Sequence, residues 1–244
     1  MTRRRVLLDA GNTRLKWAVV EDGNWQLTGS SEYGDWSALM AGLKAGTDCF
    51  IASVAGTEQN RQLGELVKAA GLIPSWLSAA ARFGDVKNTY QHPDQLGVDR
   101  WMGLIAARQR TDEAVLVVSV GTAMTVDALS AEGVFLGGVI VPGIRLMRQA
   151  LLQGTAQIQA GEGDCQAFPN ITADAVQSGI VAALCGAVAH QHAHLAALAG
   201  VAPRCLLTGG DAGQILPHLR MPVEHVPALV LEGIDCVARG TIAS

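Results

Sequence analysis

The sequence is poor in charged and aromatic residues and has no long uninterrupted hydrophobic run. Charged residues make up 16 % of its 244 residues, and aromatic residues 5 %. A formal net charge of −4 argues against a broad nucleic-acid-binding face, and the basic residues 3–5 are more simply a solvated terminus. No apolar stretch reaches the roughly 18–20 residues of a membrane-spanning helix, so we expect neither a nucleic acid nor a membrane as partner.

Paired cysteines and metal motifs are also missing. The five cysteines stand singly, at positions 49, 165, 185, 205 and 236, and therefore predict neither a disulfide framework nor a zinc site. Asp9 interrupts the first apolar run too early for an export signal, so we expect a cytoplasmic protein. His190 and His194 have the spacing of a metal pair, but without a third ligand an exposed or partner-facing alanine-rich helix is the better interpretation.

What the sequence does contain is a duplicated pattern. Residues 6–23 and 116–133 each hold an apolar strand, a glycine, small or hydroxyl residues, a second apolar run and another glycine. At a constant offset of 110, Gly11 corresponds to Gly121, Ala18 to Ala128 and Gly23 to Gly133. The pattern predicts two hairpins with glycine turns, and hence two related domains, residues 1–110 and 111–244.

The two glycine turns suggest binding of a polyphosphate. A glycine lets the backbone N–H groups approach phosphate oxygens without a Cβ atom in the way. Asn12, Thr13 and Thr122 add side-chain donors, and Lys16 adds a positive charge. These features together make ATP the first candidate ligand.

The remaining pattern predicts a mixed α/β fold. After the first hairpin we expect a strand at residues 25–30, a helix at 35–45, a strand at 48–56 and a helix at 58–70. This order resembles a ribonuclease H-like unit, in which helices cover a mixed sheet. In the second half we expect strands at 115–121, 124–133, 135–143 and 205–210, and helices at 144–152, 173–198 and 233–242.

The segment between the halves, residues 88–110, carries a candidate catalytic carboxylate. Pro93 and Gly97 keep its first part out of a helix, whereas DRWMGLIAARQR has apolar residues at helical spacing. Asp99 therefore lies at a helix N-terminus. Spacing alone leaves two roles open for it, an N-cap and a catalytic carboxylate.

Five segments together resemble the motifs of the type III pantothenate kinase family. They are DAGNTRLK (9–16), NTYQHPDQLGVDRW (88–101), GTAMTVD (121–127), GGVIVPG (137–143) and TADAVQSGI (172–180). The combination is far more specific than any single motif, and the resemblance runs almost end to end. It implies the acetate and sugar kinase/actin superfamily: an α/β protein of two ribonuclease H-like domains with mixed sheets flanked by helices, an ATP cleft between them, and usually a homodimer.

The resemblance also implies roles for individual residues. ATP would be bound by Thr122 and by a first phosphate loop, which comprises Asp9, Ala10, Gly11, Asn12, Thr13, Arg14, Leu15 and Lys16. Pantothenate would contact Tyr90, Gly97, Val98, Asp99, Arg100 and Thr172, the last of these across the dimer interface. Asp99 would be the general base that orients the acceptor hydroxyl and accepts its proton as the P–O bond forms. Asp9 would act through the waters of Mg²⁺.

Each of these assignments competes with a purely structural interpretation. Asp9 could be a strand-end carboxylate that accepts turn N–H bonds, and Lys16 an exposed strand residue. Tyr90 could be a half-buried aromatic residue packed on the helix of Asp99, Arg100 a member of a surface salt bridge, and Thr172 only an N-cap.

One position departs from the family pattern. Many members have an acidic residue just before the second glycine loop, where it helps to bind K⁺ or NH₄⁺, whereas this chain has SVGTA with Ser119. A neutral hydroxyl binds a bare cation much less well than a carboxylate, which puts the monovalent-cation requirement in question.

The function implied by the resemblance is ATP-dependent phosphorylation of pantothenate to 4′-phosphopantothenate, the first step of coenzyme A biosynthesis. The family also includes proteins described as accessory factors for transcription of bacterial virulence genes, so a non-catalytic accessory factor with the same fold stays as the alternative. A kinase for another small alcohol, such as a sugar, is less favoured because Tyr90, the GVDR motif and Thr172 resemble the pantothenate-binding set.

Overall fold

The computed structural model describes residues 4–41, 43–155, 158 and 161–240. The chain divides into two compact units, here called unit 1 and unit 2. Unit 1 contains the residues up to 110 together with those from 228 onward, and unit 2 contains residues 111–227.

Unit 1 is built on a mixed five-stranded sheet. Its elements are β1 (Arg4–Ala10), β2 (Arg14–Glu21), β3 (Asn24–Glu32), α1 (Ser37–Met40), β4 (Asp48–Ser53), α2 (Thr57–Ala69), β5 (Ile73–Trp76), β6 (Arg82–Phe83), β7 (Val86–Asn88) and α3 (Val98–Arg110). The sheet order is β3-β2-β1-β4-β5. The strands β1, β2 and β3 are antiparallel neighbours, whereas β4 lies parallel to β1 and β5 parallel to β4.

Unit 2 repeats this topology. Its elements are β8 (Val115–Val120), β9 (Ala123–Leu129), β10 (Val134–Pro142), α4 (Ile144–Gly154), α5 (Thr172–Ala199), β11 (Arg204–Thr208), α6 (Ala212–Ile215) and β12 (Glu224–His225). Its strands follow the order β10-β9-β8-β11-β12, with the same pattern of antiparallel and parallel neighbours as in unit 1. The predicted α/β class, with two mixed sheets flanked by helices, is confirmed.

Both predicted hairpins are present, and in each the glycine closes the turn. The Gly11 N–H donates to the Arg14 carbonyl at 3.1 Å, and the Gly121 N–H donates to the Ala123 carbonyl at 3.0 Å. In the flanking strands Asp9 stands opposite Lys16, and Ser119 opposite Thr125. The duplicated sequence pattern therefore encodes a duplicated local structure.

Each unit has its own apolar core. In unit 1, α2 buries Leu63 and Val67 against the sheet, one helical turn apart. In unit 2, α5 buries Ile180, Leu184 and Val188, again four residues apart. Repetition at this spacing is why the sequence pattern located these helices.

Within the described part of the chain, α5 alone is long and apolar enough to cross a membrane. The core helix of a soluble protein can have the same length and hydropathy, so these two properties are weak evidence for a membrane-spanning helix. The buried side chains of α5 pack in the core of unit 2, so this helix does not indicate a membrane partner.

The closing helix, α7 (Leu229–Arg239), lies in unit 1 and not in the second domain, where the sequence prediction placed it. It packs against α3 and β1. Gly233 touches the backbone of Met102 so closely that a Cβ atom would overlap the Met102 carbonyl. Sequence periodicity shows that a helix has an apolar face but not which element covers that face, and this is why the prediction differs.

Other segments also differ from the prediction, two of them within the region of the first sheet. The helix expected at residues 35–45 is a single turn, α1, and residue 42 lies outside the described residues. The strand β5 was not predicted because it is an exposed edge strand that contains Pro74, so it lacks a buried alternating pattern.

A buried ion pair joins β1 to α7. The Arg5 guanidinium lies 3.3 Å from the Asp235 carboxylate, and both side chains are 5 % exposed. Arg239, one turn further along α7, approaches the other carboxylate oxygen at 3.1 Å. The first strand and the last helix of unit 1 are thus joined by charge as well as by apolar packing.

We predict that Asp235→Asn destabilises unit 1. It leaves the buried Arg5 charge without a carboxylate, which typically costs about 3 kcal/mol of unfolding free energy. Urea unfolding followed by tryptophan fluorescence measures this loss. Glu58→Gln, which removes an exposed carboxylate beside Arg61, is the control and is expected to change little. Equal losses in the two variants would contradict the prediction.

Candidate functional site

Two carboxylates that are distant in the sequence come within electrostatic reach of each other in unit 1. Asp9 lies near the carboxyl end of β1 and is 9 % exposed. Burial raises the pKa of Asp9 to about 7; the charge of Lys16 lowers it, and the charge of Asp99 raises it further. With these effects combined, the Asp9 carboxyl group loses its proton only near neutral pH. A further positive charge close to this carboxylate would lower its pKa and favour the ionised form.

The first predicted phosphate loop is the turn between β1 and β2. Asn12, Thr13 and Arg14 are exposed at its tip, whereas Lys16 is half-buried on β2 opposite Asp9. Lys16 is therefore not the exposed strand residue of the structural interpretation. The loop brings backbone N–H groups, hydroxyl and amide side chains and one cation to the strand end that carries Asp9.

Asp99 is the second residue of α3 and is half-buried. Its Oδ1 atom accepts the Arg100 N–H at 2.8 Å. Burial raises the pKa of Asp99, although the Arg100 N–H and the Arg100 charge oppose this. Because Asp99 lies inside the first turn and not before it, the N-cap interpretation is not supported.

Gly97 leaves the space that the Asp99 carboxylate occupies. A Cβ atom built on Gly97 would lie 2.7 Å from Oδ1 of Asp99. Glycine is therefore required at this position of the GVDR motif because any side chain would collide with the Asp99 carboxylate. Val98 is buried at the start of the helix.

Arg100 is buried, at 7 % exposure, so its interpretation as a surface salt bridge is wrong. Its Nη1 atom donates to the Tyr90 hydroxyl at 2.9 Å, and its guanidinium carbon lies 5.7 Å from the centre of the Tyr90 ring. Tyr90 is half-buried against α3, as the structural interpretation expected. The contact orients the guanidinium, so packing and a binding role are compatible.

The second glycine turn, in unit 2, is enclosed by backbone. Thr122 is half-buried between β8 and β9, and its carbonyl accepts the Gly143 N–H at 2.9 Å. A Cβ atom on Gly143 would overlap the Gly121 carbonyl oxygen. Because Gly143, the last glycine of the GGVIVPG segment, has no Cβ atom, the chain after β10 can pack directly against this turn.

Sequence reasoning treated the glycines after β11 only as the end of a strand. Gly209 has a φ of +102° and lies against the backbone of Val120 too closely for a Cβ atom, and the Asp211 N–H donates to the Val120 carbonyl at 3.0 Å. Since β8 and β11 are parallel neighbours, their carboxyl ends meet at one edge of the sheet, where ligands bind in open α/β sheets. The signal that could have identified this turn is LLTGGDA, a glycine pair directly after a buried strand.

Thr172 is the exposed first residue of α5. The N-cap position is Ile171 and has no side-chain cap, so the N-cap interpretation of Thr172 is not supported. Thr172 lines an apolar cavity of about 610 Å³ between α4 and α5, together with Met147, Leu151 and Val176. This places Thr172 in unit 2, whereas the other predicted substrate residues lie in unit 1.

The histidine pair on α5 offers two ligands. His190 and His194 are exposed, and their Nε2 atoms lie 3.1 Å apart. Over the residues that the structure describes, no group of three or more histidine, cysteine or acidic side chains suited to a metal ion was found.

Comparison with known proteins adds a family and a fold. The family model described as type III pantothenate kinase matches residues 5–194. A type III pantothenate kinase from Thiobacillus denitrificans is 60 % identical over 239 residues, which cover 98 % of each chain. Among solved structures, a candidate 2-dehydro-3-deoxygalactonokinase from Sinorhizobium meliloti is 16 % identical with a TM-score of 0.62, over 96 % of this chain and 98 % of that one. A candidate Baf family transcriptional activator from Campylobacter jejuni is 20 % identical with a TM-score of 0.60, over 96 % and 97 %. At these identities the two structures show a shared fold alone.

We predict that Asp9→Asn changes the pH dependence of stability. Since the pKa of Asp9 is raised from 3.8 to about 7, the folded state binds a proton that the unfolded state has lost between these values. Wild-type stability therefore falls as pH rises through this window, by up to about 4 kcal/mol. The asparagine variant lacks this loss. Its free energy of unfolding, relative to that of wild type, is therefore expected to be higher at pH 8 than at pH 4.

Urea unfolding at the two pH values, without divalent cations, measures the difference. The exposed Asp94→Asn variant is the matched control. A stability difference between Asp9→Asn and wild type that stays the same at both pH values would contradict the coupling of Asp9 to folding.

Proposed function

The chain belongs to the type III pantothenate kinase family, and we propose that it transfers the γ-phosphate of ATP to the 4′-hydroxyl of pantothenate. The product, 4′-phosphopantothenate, would enter coenzyme A biosynthesis. Beyond family membership, one observation carries the proposal: the buried carboxylate of Asp9 lies at the end of β1 directly before the first glycine loop, and its pKa is raised to about 7 by burial and further by the charge of Asp99. A phosphoryl transfer needs such groups to hold a cation and to orient an alcohol.

The phosphates of ATP would be bound by the first glycine loop, in unit 1. The N–H groups of residues 11–14 and the side chains of Asn12, Thr13 and Lys16 suit phosphate oxygens. Thr122 of unit 2 is proposed as a further ATP contact through its hydroxyl, in a turn against which Gly143 packs without a Cβ atom.

Asp99 would act as the general base. Burial raises its pKa above that of an ordinary aspartate, which improves its ability to accept a proton. It would orient the 4′-hydroxyl and accept the proton as the bond to phosphorus forms.

Arg100 would bind the pantothenate carboxylate. Its guanidinium is buried and held by Tyr90, so little side-chain entropy is lost when it forms paired hydrogen bonds with a carboxylate. Tyr90 would contribute by fixing that orientation as well as by contact with the substrate.

The donor set of unit 1 fits Mg²⁺. Mg²⁺ prefers carboxylate oxygens and retained water, and a cation near Asp9 would offset the repulsion from Asp99. When bound, Mg²⁺ would neutralise charge on the phosphates, with Asp9 holding its water shell. For a monovalent cation the fit is poorer, since Ser119 offers a neutral, half-buried hydroxyl; we propose that K⁺ or NH₄⁺ activates weakly.

We further propose a cytoplasmic homodimer that forms through the α4–α5 face of unit 2. Ile171, which precedes Thr172 in the chain, is 57 % exposed, and Leu151, which lines the apolar cavity together with Thr172, is 37 % exposed. Exposed apolar groups around an apolar cavity are typical of an interface, and a partner there would bring Thr172 close to a second chain.

We predict that Asp99→Asn lowers kcat by about 10²- to 10⁴-fold, because the amide cannot accept the hydroxyl proton. A coupled assay of ADP release with pantothenate and Mg²⁺ measures the rate, and nucleotide binding is expected to persist. Folded wild-type protein without pantothenate-dependent turnover would overturn the proposed function. The alternative of a non-catalytic transcriptional accessory factor predicts that Asp99→Asn keeps full function in cells.

We predict that Gly97→Ala also lowers kcat, by about 10- to 100-fold, because the new methyl group displaces the Asp99 carboxylate. Gly64→Ala is the matched control, since a Cβ atom there meets nothing within 4 Å. Unchanged kcat in Gly97→Ala would show that the position of this carboxylate does not matter for turnover.

A further inference from the structure

Tyr33 contacts the first glycine loop although no role has been assigned to it. Its hydroxyl donates a hydrogen bond of 2.6 Å to the Gly11 carbonyl. Its ring is half-buried and meets Trp36 edge-on, with centroids 6.2 Å apart. The ring is therefore held by packing, and the hydroxyl reaches the loop from a fixed position.

The strand register brings Tyr33 to this place. Glu32, the last residue of β3, stands opposite Arg14, the first residue of β2. Tyr33 follows directly and therefore lies beside the turn that joins β1 to β2. The chain then leaves the sheet through Gly34, whose φ of +97° is favourable only for glycine.

The two polar groups of Gly11 are both used by this arrangement. Its N–H donates to the Arg14 carbonyl, and its carbonyl accepts from Tyr33. In a planar trans peptide the C=O and the following N–H point in opposite directions. A carbonyl held toward Tyr33 therefore directs the Asn12 N–H away from Tyr33, to the other side of the loop.

The hydroxyl of Tyr33 stays a donor throughout the neutral range. Burial and the nearby charge of Asp9 raise the pKa of Tyr33 to about 12. The hydrogen bond to Gly11 is thus independent of pH under working conditions.

We propose that Tyr33 is a positioning residue, which orients the Gly11–Asn12 peptide so that its N–H can bind a phosphate oxygen of the nucleotide. The inference rests on the proposed binding of ATP by the first loop. It predicts a selective effect on nucleotide binding, since Tyr33 contacts neither Asp99 nor Arg100 in the hydrogen bonds described above.

The test compares Tyr33→Phe with Thr28→Val. The first variant removes the hydroxyl and keeps the ring, and the second removes an exposed hydroxyl elsewhere on β3. We expect Tyr33→Phe to weaken ATP binding, measured by calorimetry, and to raise the KM for ATP by about five- to tenfold, the usual effect of one hydrogen bond. The KM for pantothenate is expected to stay unchanged, and Thr28→Val to match wild type.

Amide hydrogen exchange of residues 11–14 without nucleotide gives a second readout. We expect exchange at least about fivefold faster in Tyr33→Phe than in wild type, because the turn loses its anchor. Equal ATP affinity in Tyr33→Phe and wild type overturns the inference, and so does an equal loss in Thr28→Val. If wild type binds no ATP, the proposed function itself fails, and this outcome is separate from the other two.

Discussion

The burial of the Asp9 carboxylate at the end of β1, directly before the first glycine loop, is the constraint on which the proposed site in unit 1 depends. Folding buries one carboxylate, Asp9, at the end of β1, which raises its pKa, and the charge of a second, Asp99 at the start of α3, raises that pKa further. Such an arrangement opposes stability unless a cation or a substrate offsets it, and perturbed carboxylates of this kind concentrate at functional sites. The α3–α7 packing and the Arg5–Asp235 pair supply the rigidity that holds α3 in place.

The duplicated topology explains why both units carry a glycine turn. In each unit the first strand of a hairpin has a parallel neighbour on its other side, so the glycine turn falls at the carboxyl edge of the sheet. The copies then diverge in what supports the turn. Tyr33 anchors the first through a side chain, whereas Gly143 and Gly209 support the second through close backbone contact.

Sequence reasoning located the elements whose signal is local. The hairpins, α2, α3 and α5 follow from apolar periodicity and glycine position, and Asp99 was identified at the start of its helix. Four features were not predicted: the packing of α7 in unit 1, the edge strand β5, the Tyr33 contact with Gly11 and the Gly209 contact with Val120. Each depends on which distant segment packs beside it, and neither periodicity nor residue type encodes that.

The most direct test of the account is a pH titration of the Asp9 side-chain carboxyl by ¹³C NMR, in protein free of divalent cations. The resonance is assigned by its loss in Asp9→Asn. The account predicts that Asp9 titrates near pH 7, and that the midpoint falls when Asp99 is replaced by asparagine. A midpoint near the ordinary value of about 4, or one that Asp99→Asn leaves unchanged, would contradict the coupling on which the proposed site depends.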